Sequence, residues 1–264
     1  FGTASGGIII MDHQGRRLRL IDKNHGLPNR FILQVYPDRE GNLWAALNGL
    51  ISHIDIASPL TRFDQNHGLE DTVLSVTRYR GRLYAGDFKG IYRLSKKNAE
   101  PLNGNIIFES FEEVAGQPCW DFLQTKGVLL AAGNFGIVAI DEQGIFQKLE
   151  IKEHKIPVCF GQSSHFPDHL YIGLGNSGGI EVLKVKVESG RNGTDENSRN
   201  PNLKRIRLKT IASSGFSNLK YSIKKIIGDR SGNLWISTMN NGILFARRNS
   251  FDPTDYSITQ YGYK

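Results

Sequence analysis

Few side chains in this sequence are spaced for chemistry. Asp38 and Glu40 set two carboxylates two residues apart, a pattern that could serve general acid–base catalysis. Yet DREGNLW (38–44) returns as DRSGNLW (229–235), with Ser231 where Glu40 stands. A pair that is half lost when its surroundings are copied reads as part of a turn. His165 and His169 have the i, i+4 spacing that offers two metal ligands on a helix, but Pro167 lies between them in SSHFPDHL. Cys119 and Cys159 are the only cysteines, so there is neither a disulfide framework nor a zinc spacing. No cofactor, metal or catalytic centre is expected.

The elements that carry these residues are short and turn-rich. The 264 residues include 29 Gly and 9 Pro, and 39% are hydrophobic, enough for a sizeable core. No apolar run approaches the roughly 20 residues that span a bilayer as a helix. The formal charge is +7 and the sequence pI about 9.4, which raises nucleic acid as a partner. The densest basic run, LKRIRLK (203–209), alternates its cations with Ile206 and Leu208. That is a half-exposed strand whose Lys and Arg deter edge-to-edge pairing, and nucleic acid is not an expected partner.

A turn-and-strand unit repeats along the chain. Besides the two Trp copies it occurs in GRLYAGDFKGIYRL (81–94), GVLLAAGNFGIVAID (127–141) and DHLYIGLGNSGGIEVL (168–183). The bulky slot is filled in turn by Trp44, Tyr84, Leu130, Tyr171 and Trp235, at intervals of 40, 46, 41 and 64 residues. Residues 188–202 are polar, lack aromatics and read as a loop insertion that accounts for the long interval. NHGL at 24–27 returns at 66–69, so His25 and His67 read as turn residues. FGTASGGIIIMD (1–12) aligns with ISTMNNGILFAR (236–247), with Thr3 on Thr238 and Gly7 on Gly242.

A period of 40–50 residues with four strand-like pieces is that of a propeller blade. The fold class expected is all-β: a β-propeller of four-stranded blades, about five full ones and a partial one, within a single domain over 1–264. The blades are placed at about 1–25 (partial), 26–67, 68–115, 116–152, 153–212 and 213–264. In the first full blade the strands are 31–36, 43–47, 50–55 and 60–63. The leading fragment offers only outer strands at 6–12 and 17–22, and 257–264 reads as an outermost strand. The chain is therefore expected to be an excerpt of a ring of six to eight blades. The Asp and Gly of the two copied turns are structural, and the slot residue is expected to fill the layer between neighbouring sheets. The two cysteines fall on inner strands of neighbouring blades, too far apart for a disulfide, and are expected as buried thiols.

GLPNRFILQVYPDREGNLWAALNGLISHID (26–55) resembles the two-component regulator propeller repeat nearly throughout, and YSIKKIIGDRSGNLWISTMNNGILFA (221–246) resembles it from its inner strand onward. The other copies are looser. The resemblance implies a ligand-sensing domain of a bacterial membrane signalling receptor, periplasmic or otherwise extracytoplasmic and often tied to carbohydrate use. It implies no enzyme activity in the propeller itself, a homodimer through the intact receptor, and a membrane link only through segments outside this chain.

In a propeller, ligands commonly use the face formed by the loops that lead into the inner strands and by the second hairpin turns. Aligned on the slot, the lead-ins offer Asn29, Arg30, Asp71, Thr72, Gln117, Pro118, Trp120, Lys220 and Tyr221. The second turns offer Asn48, Asp87, Phe88, Lys89, Asn134, Phe135, Asn176 and Asn240. Of these, Asn29, Arg30, Asp71, Trp120, Lys220, Tyr221, Phe88, Lys89, Phe135 and Asn240 are the candidate contacts to a small-molecule or oligosaccharide ligand. Aromatics would stack on apolar sugar faces, and amides and cations would set orientation. Two alternatives stand beside this. A propeller lyase acting on a polysaccharide or cyclic substrate would need His, Glu or a metal converging on the channel mouth, and a protein-docking propeller could use the basic 203–209 strand.

Overall fold

A computed structural model describes residues 1–56, 63–96, 106–141, 144–149, 155–176, 178–189, 204–211, 215–216 and 218–262. The 188–202 insertion from residue 190 onward and most of the strand expected at 60–63 lie outside these residues. The regular structure is strand throughout, apart from three single-turn 3-10 segments at Lys23–His25, Gln65–His67 and Glu112–Val114.

The strands form six antiparallel sheets, each built from consecutive strands in chain order. The first pairs β1 (Ile8–Met11) with β2 (Arg17–Ile21). The second holds β3 (Ile32–Pro37), β4 (Leu43–Leu47) and β5 (Leu50–Ile54). The third holds β6 (Val73–Tyr79), β7 (Arg82–Asp87), β8 (Ile91–Lys96) and β9 (Ile106–Ser110). The fourth is β10 (Cys119–Thr125), β11 (Val128–Gly133), β12 (Gly136–Ile140) and β13 (Phe146–Leu149). The fifth is β14 (Pro157–Ser163), β15 (Phe166–Leu174), β16 (Ile180–Ser189) and β17 (Lys204–Ile211). The last is β18 (Ile223–Gly228), β19 (Leu234–Thr238), β20 (Ile243–Arg248) and β21 (Tyr256–Tyr261). Four of the six thus have the four-stranded meander of a propeller blade.

Two compact units divide the chain, one of Phe1–Glu70 with Leu94–Glu109, the other of Asp71–Arg93 with Ser110–Lys264. In the first, Ile8 and Ile21 meet Ile32, Ala45 and Leu47 in one apolar layer between two sheets. In the second, three such layers follow one another. Tyr79, Tyr84 and Ile91 pack on Leu129, Ala131 and Val138. Leu130, Ala132 and Ile137 pack on Phe160, Leu170 and Ile172. Tyr171 and Val182 pack on Ile223, Ile226 and Leu234.

The slot residues divide accordingly. Tyr84, Leu130 and Tyr171 are at most 2% exposed and sit in those layers. Trp44 and Trp235, the pair that defines the motif, are 45% and 43% exposed instead of wedged between sheets. Each packs in a tilted pair against its register partner in its own sheet, Trp44 on His53 and Trp235 on Phe245, both with ring centroids 4.5 Å apart. The strands show why. All six residues of β11 are buried, whereas β19 is buried only at alternate positions on the face away from Trp235.

The copied turns have one mechanism. Oδ1 of Asp38 accepts the N–H groups of Glu40 and Asn42, and Oδ1 of Asp229 accepts those of Ser231 and Asn233, all at 2.8–3.0 Å. Gly41 and Gly232 take φ of +87° and +83°, which a side chain would resist. The same pattern, unmarked by Trp, closes a further hairpin at Asp12–Arg16, and Oδ1 of Asp141 likewise accepts the N–H of Ile145 four residues on, at 2.8 Å. Asp22 and Asp64 hold the two NHGL turns, each contacting Nδ1 of the following His at 2.8 and 3.0 Å. Thr3 and Thr238 also match: each hydroxyl donates to the carbonyl of the Gly four residues on, at 2.8 and 2.9 Å.

These turn carboxylates are worth more charged than neutral. Hydrogen bonds from Arg16 hold Asp12 below its ordinary range. At Asp229 partial burial pushes upward, but the hydrogen bonds from Asn233 and Ser231 outweigh it and the net shift is downward. A depressed folded value adds stability that is complete above the ordinary carboxylate pKa and is lost as pH falls through the folded value. The melting temperature is therefore expected to drop below about pH 4, as these carboxylates take up protons; a series of thermal melts from pH 3 to 7 checks this. Asp229→Ala leaves two turn N–H groups unpaired and should cost about 1 kcal/mol, with Asp229→Asn milder because it keeps an acceptor. Denaturant unfolding of the two variants measures the difference.

Candidate functional site

The rim expected to carry a ligand is built by main-chain hydrogen bonds between turns and lead-ins. Gly116 N–H donates to the Lys89 carbonyl at 2.6 Å, Asn134 N–H to Pro118 at 3.1 Å, Gly179 N–H to Tyr221 at 3.1 Å and Met239 N–H to Ser222 at 2.9 Å. Each bond ties a second hairpin turn to the segment leading into an inner strand, so the rim is braced from below.

Inner strands carry a second device. β3, β6, β10, β14 and β18 each break register two residues in, at Ile32/Gln34, Val73/Ser75, Cys119/Asp121, Pro157/Cys159 and Ile223/Lys225. A bulge adds a residue, sharpens the twist and re-aims the side chain it carries. In β10 that residue is Trp120. Its indole N–H donates to Oδ1 of Asn134 at 3.1 Å, and its ring meets Phe88 edge-on at 5.7 Å between centroids. Three residues from two sheets and two turns therefore converge on one spot, with Phe88 and Asn134 exposed and Trp120 half-buried.

Beneath it, Asp87 is fully buried. Its Oδ1 accepts the N–H groups of Lys89 at 2.7 Å and Gly90 at 2.9 Å, which shapes the turn that presents Phe88. Its Oδ2 is also buried and has no partner among the described residues.

The remaining expected residues are placed as follows. Asn29 accepts the N–H of Phe31, and Arg30 is exposed with its carbonyl bonded to Gly7. Asp71 is exposed and accepts the N–H of Thr72 at 2.7 Å. Lys89, Lys220 and Asn240 are exposed. Tyr221 is half-buried, its hydroxyl donating to Oε1 of Gln260 at 3.3 Å. Phe135 is a correction: it is only 6% exposed and belongs to the core. A Cβ on Gly133 would stand 2.4 Å from the Phe135 ring, so the bare backbone there leaves the space into which the ring turns.

Sequence reasoning missed the residues just past the bulges. Both oxygens of Asp121 take Nζ of Lys225 at 2.9 Å, and Oδ2 also accepts the N–H of Phe160 at 3.0 Å. One carboxylate thus links the inner strands of three sheets. The available signal was register: Asp121 faces Ala132 and Lys225 faces Ser237, small residues two positions past the slot. Cys119 and Cys159 are buried free thiols, and desolvation pushes both up to about 12, so neither is nucleophilic at neutral pH.

Residues 26–49 match the model of the two component regulator propeller. No curated protein matches the chain in sequence. Among solved structures, the chain is similar to the extracellular domain of the hybrid two component system BT4673 from B. thetaiotaomicron, with 19% identity and a TM-score of 0.53, over 98% of this chain and 35% of that one. A second structure of that extracellular domain, described as a one component system, gives 18% identity and a TM-score of 0.51 over the same shares. The chain thus spans about a third of the length of these structures. The fold is a β-propeller, and the family match is confined to residues 26–49.

Asp121→Ala strands both the Lys225 ammonium and the Phe160 N–H, while Lys225→Ala leaves Asp121 with a partner. The first is expected to cost about 2 kcal/mol and the second under about 1 kcal/mol, because Lys225 is half exposed and solvent screens the pair. Urea unfolding of both variants and of the double variant gives the comparison.

Proposed function

We propose that this chain is the ligand-sensing propeller of an extracytoplasmic receptor of the two-component type, and that it binds a carbohydrate without transforming it. The observation that carries the reading is the convergence of Phe88, Trp120 and Asn134 at the braced rim. An edge-to-face aromatic pair offers the indole face to the C–H face of a sugar ring. Asn134 is fixed through its oxygen by Trp120, which leaves its amide nitrogen to donate to a ring hydroxyl. Such a site, mostly apolar with a few placed polar groups, suits recognition.

The receptor setting rests on the repeat at 26–49 and on the fold shared with the extracellular domains above. No helix among the described residues is long and apolar enough to cross a membrane. In such a receptor, ligand binding would shift the packing of the propeller and a homodimer would relay the shift. The non-catalytic reading rests on the chemistry of the rim. The Phe88–Trp120–Asn134 cluster is aromatic and amide, and the buried carboxylate of Asp87 is engaged in shaping a turn.

Calorimetric titration with a panel of mono- and oligosaccharides tests this. At least one sugar should bind saturably and be recovered unchanged, and Trp120→Ala should weaken it at least tenfold while the fold, by circular dichroism, is retained. Failure of the whole panel to bind, equal binding by Trp120→Ala, or cleavage of a uronic-acid polymer would each overturn the reading.

A further inference from the structure

A cavity of about 320 Å³ lies in the second unit, away from the Phe88–Trp120 pair in sequence and built on different elements. One wall is a single face of the last sheet. Leu244, Tyr256, Ile258 and Gln260 share that face by register, since Leu244 pairs with Gln260, Ala246 with Ile258 and Arg248 with Tyr256. The other wall is the segment that leads into β18, contributing Asn218, Leu219 and Tyr221.

The segment is held at both ends. Gly215 N–H donates to the Thr254 carbonyl at 3.1 Å, and Phe216 is buried in the adjoining apolar layer. At the far end the Tyr221 carbonyl accepts Gly179 N–H and the Ser222 carbonyl accepts Met239 N–H. Leu219 stands between these anchors, over the gap. The cavity therefore has a frame that keeps it open rather than a wall free to collapse.

Its chemistry is specific. The floor and sides are Leu219, Leu244, Ile258 and the Tyr256 ring, whose hydroxyl is already engaged with Tyr171 and the Gly232 carbonyl. Among the described residues no formally charged side chain lines it, so an ion would find no opposite charge there to offset its desolvation. The polar edge is Asn218, Tyr221 and Gln260. Tyr221 donates its proton to Gln260 Oε1, and Gln260 Nε2 donates to the Asn241 carbonyl at 3.1 Å. That chain leaves the lone pairs of the Tyr221 oxygen as an acceptor for an incoming donor. The volume sits at the lower end of small-molecule pockets and is about twice that of a cavity that takes up benzene.

We infer that this cavity is a second binding site, for a small, planar, uncharged aromatic molecule bearing one N–H or O–H donor. The donor lies on the Tyr221 oxygen and the ring on Leu219, Leu244 and Ile258. It shares no residue with the Phe88–Trp120–Asn134 cluster, so the propeller would take two chemically distinct ligands.

Indole is the probe, followed by saturation-transfer NMR and by calorimetry on the full chain. Saturable binding is expected. Tyr221→Phe should weaken indole about fivefold to tenfold, the worth of one hydrogen bond, while leaving naphthalene, which has no donor, unchanged. Leu219→Trp fills the space and should abolish both, with its melting temperature confirming that the chain is folded. Trp120→Ala should leave indole binding intact, which separates this site from the rim reading. No saturable binding up to millimolar indole, binding unchanged in Leu219→Trp, or equal loss of indole and naphthalene in Tyr221→Phe would overturn the inference.

Discussion

Burial of both faces of a four-stranded sheet is the constraint from which the rest of the second unit follows. A meander sheet has two apolar faces or it has one, and the count is decided by how many neighbours it has. Where a neighbour lies on each side, as for β11, every residue is buried and the sequence reads VLLAAG. Leu130 and Tyr171 are then lost to solvent entirely, and each contributes the full transfer free energy of a large side chain, about 2–3 kcal/mol. Tyr171 adds a polar tie, its hydroxyl reaching both Tyr256 and the Pro253 carbonyl. The layers are cumulative: each sheet is incomplete without the next.

Given stacked sheets, the turns need only be tight and the strands only short. The Asp-centred turns do this with backbone chemistry alone, and they recur with and without the Trp that makes them visible. The bulge near the start of every inner strand is the one irregularity common to the sheets. It brings Trp120 out of the plain alternation and onto Asn134, and it sets Asp121 where Lys225 can reach it. The rim is thus presented by a bulge, a buried Asp and a set of turn-to-strand hydrogen bonds. Trp120 and Asn134 fix each other through one hydrogen bond, and Phe88 meets the Trp120 ring edge-on.

The same geometry governs the charged and sulfur-bearing groups of the second unit. Charged groups near the inner strands are spent on one another, as in Asp121 and Lys225, and the buried thiols are silenced by desolvation. The Phe88–Trp120–Asn134 cluster is aromatic and amide. What faces the cavity beside β20 and β21 is aliphatic and phenolic.

The local structure was legible in the sequence because its causes are local. Asp38 and Asp229 act on backbone groups two and four residues away, and the alignment of Thr3 on Thr238 is repeated bond for bond. The period of the slot marked the sheets, and the alternation in β17 put Ile206 inside and Arg207 and Lys209 outside. What only the tertiary structure decided depends on groups that arrive from far along the chain. Whether a slot residue is covered is set by the next sheet, which is why Leu130 is buried and Trp235 is not. Phe135 went inward because Gly133 left room for its ring. Asp121 found Phe160 at a separation of 39 residues and Lys225 at 104, and no periodicity records such a meeting. The cavity beneath Leu219 is a space between elements, and a space has no residue of its own to betray it.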